Sequence, residues 1–244
     1  FLCPYTGTCL SAYKQIIRVP IKSFCLKWCR IDLICEQYYN NQKRNNAYKR
    51  ICTQFAERQK AGVGMASPKS CAILGHNPMR FAWGFDEEAA ECHDMKMELA
   101  QQIMVLRQQG VTHFSVACDY GVGLYAAELI NVLRDNDPEL MLFCVTPYEE
   151  QATKWTPELR ERYFDMLVKC SHMTAVYTHK QPDAQLKAYR TIIRQSDMVL
   201  AVYDPASARG DDTDKAISYA RELRHPMLMI HPDTLKTTYS CVEV

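Results

Sequence analysis

Loops that carry glycine, histidine and arginine follow short apolar runs throughout residues 70–233. Glycine leaves backbone N–H groups bare, neutral histidine can donate or accept a hydrogen bond, and arginine can pair with a phosphate. These residue types favour a site for a phosphate or another anion. The candidate ligand-binding residues are Gly75, His76, Asn77, Pro78, Arg80, Gly121, Val122, Gly123, Thr146, Pro147, Asp204, Gly210 and Thr213.

The glycine pair of the second loop is the most informative of these candidates. Gly121 and Gly123 begin a predicted helix, so its free N–H groups and the positive end of its dipole would face a bound anion. A strand-to-helix turn also requires glycine for its backbone conformation alone, and the residues support this alternative equally well. Ala126 almost completes a G-x-G-x-x-A pattern. No acidic residue closes a following strand about 20 residues later, which disfavours an ordinary dehydrogenase.

Other side chains allow a functional and a structural interpretation. His76 is the histidine most expected in the site, because it lies in a loop at the end of a strand. Arg80 could bind a ligand phosphate or form a surface ion pair, and Tyr148 and Trp155 could stack on a base or close the edge of the cleft. No Ser-His-Asp or Cys-His arrangement is evident, so a covalent hydrolase is disfavoured and no catalytic residue is assigned.

An alternation of apolar runs, turn residues and amphipathic stretches predicts the elements that position these loops. Six strands are expected, at residues 70–74, 113–118, 140–145, 173–177, 198–203 and 227–230. Five helices are expected between them, at residues 87–109, 124–134, 157–169, 184–195 and 213–223. This order predicts an α/β, Rossmann-like, doubly wound and mostly parallel sheet. Ligands of such sheets bind at the carboxyl ends of the strands, where the candidate residues lie.

The charge distribution divides the chain into two parts. The chain has 244 residues, of which 48% are hydrophobic and 23% charged, and this composition excludes disordered and fibrous proteins. Residues 1–64 carry 11 Lys or Arg and 3 Asp or Glu, a net charge of +8, whereas residues 65–244 carry 18 and 25, a net charge of −7. We therefore predict a boundary near Met65, between a basic Cys-rich segment and a ligand-binding domain.

Cysteines are concentrated in the N-terminal segment, which holds six of the twelve. Cys3, Cys9, Cys29 and Cys35 form two C-x5-C pairs, and their surroundings resemble small four-cysteine modules that bind zinc or an iron–sulfur cluster. Cys25 leaves the ligand set open, and buried free thiols are the alternative. Basic and aromatic residues alternate in residues 40–60, which fits either nucleic-acid contact or a solvated helical linker. The whole segment could also be a fusion or the product of read-through translation.

Five blocks of sequence follow one another along residues 70–233. They are Leu74-Gly75-His76-Asn77-Pro78, Gly121-Val122-Gly123-Leu124-Tyr125-Ala126-Ala127-Glu128, Val145-Thr146-Pro147-Tyr148 with Gln151 and Trp155, Gln195-Ser196-Asp197, and Tyr203-Asp204-Pro205. In order and spacing these blocks resemble the YpsA branch of the SLOG superfamily, also called DUF1273. The resemblance implies a Rossmann-like sheet that binds a nucleotide or a nucleotide-derived ligand, with the glycine loop at its phosphate or ribose end. Relatives in the superfamily include phosphoribohydrolases, the DNA-processing protein DprA and molybdenum-cofactor carrier-like proteins.

Two departures from the family pattern bear on function. Family members usually carry Asp or Glu at the position of Gly123, and the resemblance implies that this acid accepts hydrogen bonds from a ribose or a base. We therefore expect that acceptor to be absent here. Phosphoribohydrolases use a P-G-G-x-G-T-x-x-E loop, whereas the equivalent residues 210–216 place Asp211 and Asp212 before Thr213. Two carboxylates repel a phosphate unless Arg209 or a cation neutralises them. The loop therefore allows two interpretations, a site for a divalent ion and a solvated acidic loop.

The leading hypothesis is a sensor or carrier that binds an ADP-ribose-like, NAD-like or nucleoside phosphate ligand. The first alternative is an N-glycosidase that acts on a nucleoside monophosphate. The second is DprA-like nucleic-acid binding, which only the basic residues 1–64 would support. The sequence requires no cofactor, although zinc or an iron–sulfur cluster would fit the N-terminal cysteines. No apolar run approaches the roughly 20 residues of a membrane helix, so we expect a cytoplasmic protein without a membrane partner, and a homo-oligomer is compatible with the sequence.

Overall fold

The computed structural model of the chain describes residues 68–240. The predicted cysteine module, the basic segment and the boundary near Met65 lie outside these residues. The strands are β1 (Ser70–Gly75), β2 (His113–Val116), β3 (Met141–Tyr148), β4 (His172–Tyr177), β5 (Met198–Val202), β6 (Met227–Ile230) and β7 (Thr237–Ser240). The helices are α1 (Ala90–Gln108), α2 (Val122–Arg134), α3 (Pro157–Lys169), α4 (Ala184–Arg194) and α5 (Asp212–Glu222). Short 3-10 turns lie at Pro78–Arg80, Gln151–Lys154 and Pro205–Ser207.

The strands form one sheet in the order β4-β3-β2-β1-β5-β6-β7, and every pair is parallel except β6 with β7. Strand β1 lies between β2 and β5, with Ile73 opposite both Val116 and Leu200. The chain adds β2 to β4 on one side of β1 and then returns to add β5 to β7 on the other. The loops after β1 and β5 therefore diverge at the topological switch point, where open α/β sheets bind their ligands.

Helices cover both faces of the sheet, which explains why β1 and β5 are almost continuously apolar and buried. Helix α2 packs against β1, β2 and β3 beside α1 and α3, whereas α4 and α5 pack together on the opposite face. Ala72 and Val199 of the sheet contribute to the same buried cluster as Ile193 of α4 and Ile217 of α5. The predicted α/β, Rossmann-like fold with a mostly parallel sheet is confirmed.

All six predicted strands and all five predicted helices are present, with ends that differ by at most three residues. Strand β2 ends at Val116 rather than at residue 118, because Cys118 has a φ of 50° and leaves the extended conformation. The seventh strand, β7, was not predicted, since its residues Thr-Thr-Tyr-Ser form no apolar run. Among residues 68–240, no helix combines the length and the apolar character that crossing a bilayer requires.

Candidate ligand-binding site

The loops after β1 and β2 interlock at the carboxyl end of the sheet. Gly121 has a φ of 110°, and a Cβ atom there would lie 2.8 Å from Cγ of Pro78. A Cβ atom on Gly75 would lie 2.5 Å from Cγ2 of Val122. Both glycines are thus required by backbone conformation or close packing between the two loops. This packing needs no ligand, so the glycine pattern alone does not identify a phosphate site.

The N-terminus of α2 still presents free hydrogen-bond donors. Leu124 donates its N–H to the carbonyl oxygen of Asp119 at 3.1 Å, and Tyr125 donates to Gly121 at 2.9 Å. The N–H groups of Val122 and Gly123 find no acceptor within residues 68–240. Two unpaired N–H groups and the positive end of the helix dipole therefore lie together at the N-terminus of α2.

Asp119 lies against this helix terminus and was missing from the predicted site. Its Oδ2 accepts a hydrogen bond from the Tyr189 hydroxyl at 3.0 Å. Its Oδ1 is buried and has no hydrogen-bond partner in the described part of the chain. Burial raises the pKa of this carboxyl from 3.8 to about 6, and the bond from Tyr189 opposes that rise. A half-buried acid with a buried, unsatisfied oxygen is a common feature of functional sites.

The carboxylate of Asp119 occupies the space that a side chain at position 123 would need. A Cβ atom on Gly123 would lie only 2.3 Å from Oδ1 of Asp119. The expectation that no acidic acceptor exists here is therefore corrected, because Asp119 supplies a carboxylate from the preceding loop. The sequence does show an acid close to the end of β2, and its position at a strand end was the signal that could have identified Asp119 as a candidate site residue.

The strained backbone before Asp119 is held by a buried glutamine. The positive φ of Cys118 is uncommon for a residue with a side chain. Gln151 donates its Nε2 to the carbonyl oxygen of Cys118 at 2.6 Å, and Gln151 itself is buried. The family block that contains Gln151 thus serves to fix the loop from which Asp119 projects.

Three aromatic side chains contact one another around the residue that follows Asp119 and form what we call the aromatic wall: Phe85, Tyr120 and Trp155. The rings of Phe85 and Tyr120 stack with 5.5 Å between centroids, and the rings of Tyr120 and Trp155 lie 6.4 Å apart. Phe85 is 56% exposed, although large apolar side chains are usually buried. Tyr120 directly follows Asp119 in the chain, so the central ring of the aromatic wall and the carboxylate project from the same loop.

His76 is almost completely buried beneath the loop after β5. Its Nε2 accepts the backbone N–H of Asp204 at 2.9 Å, while its Nδ1 has no partner among residues 68–240. Burial, followed by the positive charge of Arg80, lowers the pKa of the imidazole from 6.5 to about 4. The ring is therefore neutral near pH 7, and the hydrogen bond at Nε2 places its proton on Nδ1.

Arg80 points into the protein, and its side chain is only 6% exposed. Its Nη1 lies 2.5 Å from Asp211 and 3.3 Å from Asp214, and its Nη2 donates to the carbonyl oxygen of Ser207. The terminal nitrogens of the guanidinium group thus pair with the protein's own carboxylates. Arg80, rather than Arg209, pairs with Asp211, whereas Asp212 lies 3.7 Å from Nζ of Lys215.

A metal ion is not needed to balance these acids. His76, Asp211 and Asp214 place one potential ligand atom each within 4.8 Å of one another, which is compatible with a cation site. The guanidinium group of Arg80 already contacts both carboxylates, and three backbone N–H groups further stabilise the charge of Asp214. This arrangement favours the ion-paired loop over the divalent ion considered from the sequence.

The other predicted site residues have local structural partners. Asn77 accepts the N–H of Met79 at 3.0 Å, and Asp204 accepts that of Ala206 at 2.9 Å, so both cap 3-10 turns. The Thr146 hydroxyl donates to the carbonyl oxygen of Thr174, and the Thr213 hydroxyl donates to the carbonyl oxygen of Gly75. Pro147 is buried in β3. Asn77 remains exposed to solvent.

Comparison with known proteins assigns the chain to a family. The model of the YspA SLOG family matches residues 71–235, well over half of the chain. The chain belongs to this family. The predicted resemblance to the YpsA branch is thereby confirmed, and SLOG membership supports a nucleotide-related role at the level of the family.

Similar bacterial proteins agree with this assignment. The chain is 32% identical over 114 residues to a UPF0398 protein of Halalkalibacterium halodurans, a match that covers 45% of this chain and 59% of that protein. It is 27% identical over 140 residues to a UPF0398 protein of Bacillus pumilus, which covers 56% and 74% respectively. A UPF0398 protein of Bacillus cereus is 28% identical over 139 residues.

Proposed function

We propose that this SLOG protein binds a nucleotide or nucleotide-derived ligand at the carboxyl ends of β1 and β2 and acts as a sensor or carrier. The observation that carries the proposal is that one loop, after β2, supplies both the unsatisfied carboxylate of Asp119 and Tyr120, the central ring of the aromatic wall. A nucleoside needs both features, because its base stacks on aromatic rings and its ribose or amino groups donate hydrogen bonds.

The electrostatics of the subsite favour a donor over an anion. With a pKa of about 6, Asp119 is mostly ionised at pH 7 and above. Its negative charge lies at the N-terminus of α2, where a ligand phosphate would otherwise be attracted. The field of this carboxylate favours the hydroxyl and amino groups of a ligand, whereas it repels a phosphate. We therefore assign the nucleoside end of the ligand to Asp119 and the aromatic wall.

An N-glycosidase remains the second candidate, because Asp119 also suits acid–base chemistry. A buried carboxyl group with a pKa raised to about 6 can accept or donate a proton near neutral pH. An enzyme of this kind would release a free base from a nucleoside monophosphate, which chromatography detects directly. A sensor or carrier would return the same nucleotide unchanged. DprA-like binding would depend on residues 1–64, and no contact in residues 68–240 favours it.

Calorimetric titration with ADP-ribose, NAD and AMP tests the proposal. Tyr120→Ala removes the central ring of the aromatic wall and should weaken binding by about 5- to 150-fold, since base–aromatic stacking contributes roughly 1–3 kcal/mol. Tyr219→Ala is the matched control, because Tyr219 is a half-buried tyrosine of α5 on the opposite face of the sheet. Equal affinity in folded Tyr120→Ala and wild-type protein would remove the aromatic wall from the site.

A further inference from the structure

The loop before α5 surrounds one carboxylate with hydrogen-bond donors. Oδ2 of Asp214 accepts the backbone N–H groups of Arg209, Gly210 and Asp211 at 2.6, 2.6 and 3.2 Å. Its Oδ1 accepts the Tyr203 hydroxyl at 2.9 Å and lies 3.3 Å from Nη1 of Arg80. Three successive N–H groups that converge on one oxygen form a nest, the backbone arrangement that binds phosphate in other proteins.

This arrangement exceeds what capping of α5 requires. The cap itself is complete when Asp211 accepts the N–H of Asp214 at 3.0 Å and the side chain of Asp214 accepts the N–H of Asp211. The additional donors from Arg209, Gly210, Tyr203 and Arg80 do not belong to a capping box. The pKa of Asp214 is accordingly lowered to about 2, because these hydrogen bonds stabilise its charged form against the cost of burial.

The cluster also contains more buried donors than its acceptors satisfy. His76 is 1% exposed, and one of its ring nitrogens lies within 4.8 Å of the carboxylate oxygens of Asp211 and Asp214. Its Nδ1 has no partner within the described residues, and neither has the buried Nε of Arg80. A carboxylate offers two oxygens, whereas a phosphoryl group offers three or more and could satisfy these remaining donors.

We infer that the N–H groups of residues 209–211, together with Arg80, form an anion site that Asp214 fills in place of a phosphoryl group. Asp214 is thus a specificity-determining residue that excludes phosphate from the N-terminus of α5. An extension to the ligand rests on the proposed function. On that basis the phosphates of the ligand lie away from α5, and the part of the ligand that reaches this loop is uncharged.

Removal of the carboxylate should convert the loop into a phosphate site. Asp214→Ala empties the nest, and Asp214→Asn keeps it filled by a neutral side chain of similar shape. Asp212→Ala is the matched control, because it removes the same charge from the first turn of α5 while its partner is the exposed Lys215. Inorganic phosphate is the probe, measured by calorimetry and by the amide shift of Gly210 in nuclear magnetic resonance spectra.

The expected result is phosphate affinity at least about tenfold higher in Asp214→Ala than in wild type, Asp214→Asn or Asp212→Ala. If Asp214→Ala does not fold in phosphate-free buffer, phosphate should restore its circular dichroism spectrum, and Asp212→Ala should not need it. Phosphate that neither binds nor restores Asp214→Ala would overturn the inference. This arm uses no nucleotide, so its outcome is independent of whether the wild type binds one.

A comparison of AMP with adenosine then tests the extension to nucleotides. Asp214→Ala should gain affinity for AMP relative to adenosine, whereas wild-type protein should show no preference for the phosphorylated form at this loop. An unchanged ratio in a variant that binds inorganic phosphate would place the ligand elsewhere and overturn the extension alone. Failure of AMP, adenosine, ADP-ribose and NAD to bind any variant would contradict the proposed function instead.

Discussion

Replacement of Asp119 by asparagine should remove a specific pH dependence from the stability of the domain. The pKa of this carboxyl is raised from 3.8 in the unfolded chain to about 6 in the folded protein, chiefly by burial. Between these two pH values the folded state binds the proton more tightly than the unfolded state. The free energy of unfolding must therefore fall as the pH rises from about 4 to about 6.

The size of this effect follows from the change in pKa. One unit corresponds to about 1.4 kcal/mol, so a rise from 3.8 to about 6 gives a loss of about 3 kcal/mol. The free N–H groups at the N-terminus of α2 stabilise the charged carboxylate, which makes this an upper value. Asp119→Asn does not titrate, so its stability relative to wild type should increase by up to about 3 kcal/mol between pH 4 and pH 7.

Urea unfolding followed by tryptophan fluorescence at several pH values between 4 and 7 measures this difference. Any constant effect of the new amide cancels, because only the change with pH is compared. Asp212→Asn serves as the control, since it removes a carboxylate that is partly exposed to solvent. A difference between wild type and Asp119→Asn that stays constant within about 0.5 kcal/mol across this range would refute the assigned burial of Asp119.

Three further predictions follow from the same contacts. Gly121→Ala should destabilise the domain by about 2–4 kcal/mol in thermal unfolding, because Gly121 has a positive φ and a Cβ atom there would clash with Pro78. Gly84 also has a positive φ but has open space around it, so Gly84→Ala should cost only about 1 kcal/mol. Gln151→Met should cost about 1–3 kcal/mol in urea unfolding, since it leaves the buried carbonyl of Cys118 without a donor. Wild-type protein should lose stability relative to Asp214→Asn as the pH falls from about 4 to about 2, where the depressed pKa of Asp214 is titrated; acid unfolding curves that run parallel would exclude this.

Much of the fold follows from local patterns in the sequence. Strands β1 and β5 are buried on both faces, so their apolar runs define them without tertiary information. The start of α3 is equally local, because Thr156 caps the N–H of Leu159 and Pro157 occupies the first turn. Strand β7 is different, since only pairing with β6 makes its polar residues a strand.

The site was less accessible to sequence reasoning, because its chemistry depends on contacts between distant loops. Arg80 and Asp214 are 134 residues apart in the chain, so the sequence could not show that they pair. Arg80, which the sequence suggested as a phosphate ligand, instead contacts an acid of the protein itself. Asp119 and Gly123 are close in the chain, yet only the turn between them shows that the carboxylate uses the space above the glycine. The strand ends were predictable, and the partners of their side chains were not.

Mass spectrometry of the small molecules released by denaturing the purified full-length protein tests the proposed ligand class most directly. The expected result is a nucleotide-derived compound in wild-type protein that is depleted in Tyr120→Ala and retained in Tyr219→Ala. The measurement requires no prior choice of ligand. Wild-type protein that releases no such compound, and that also shows no calorimetric binding of ADP-ribose, NAD or AMP, would contradict nucleotide-derivative binding at the carboxyl ends of β1 and β2.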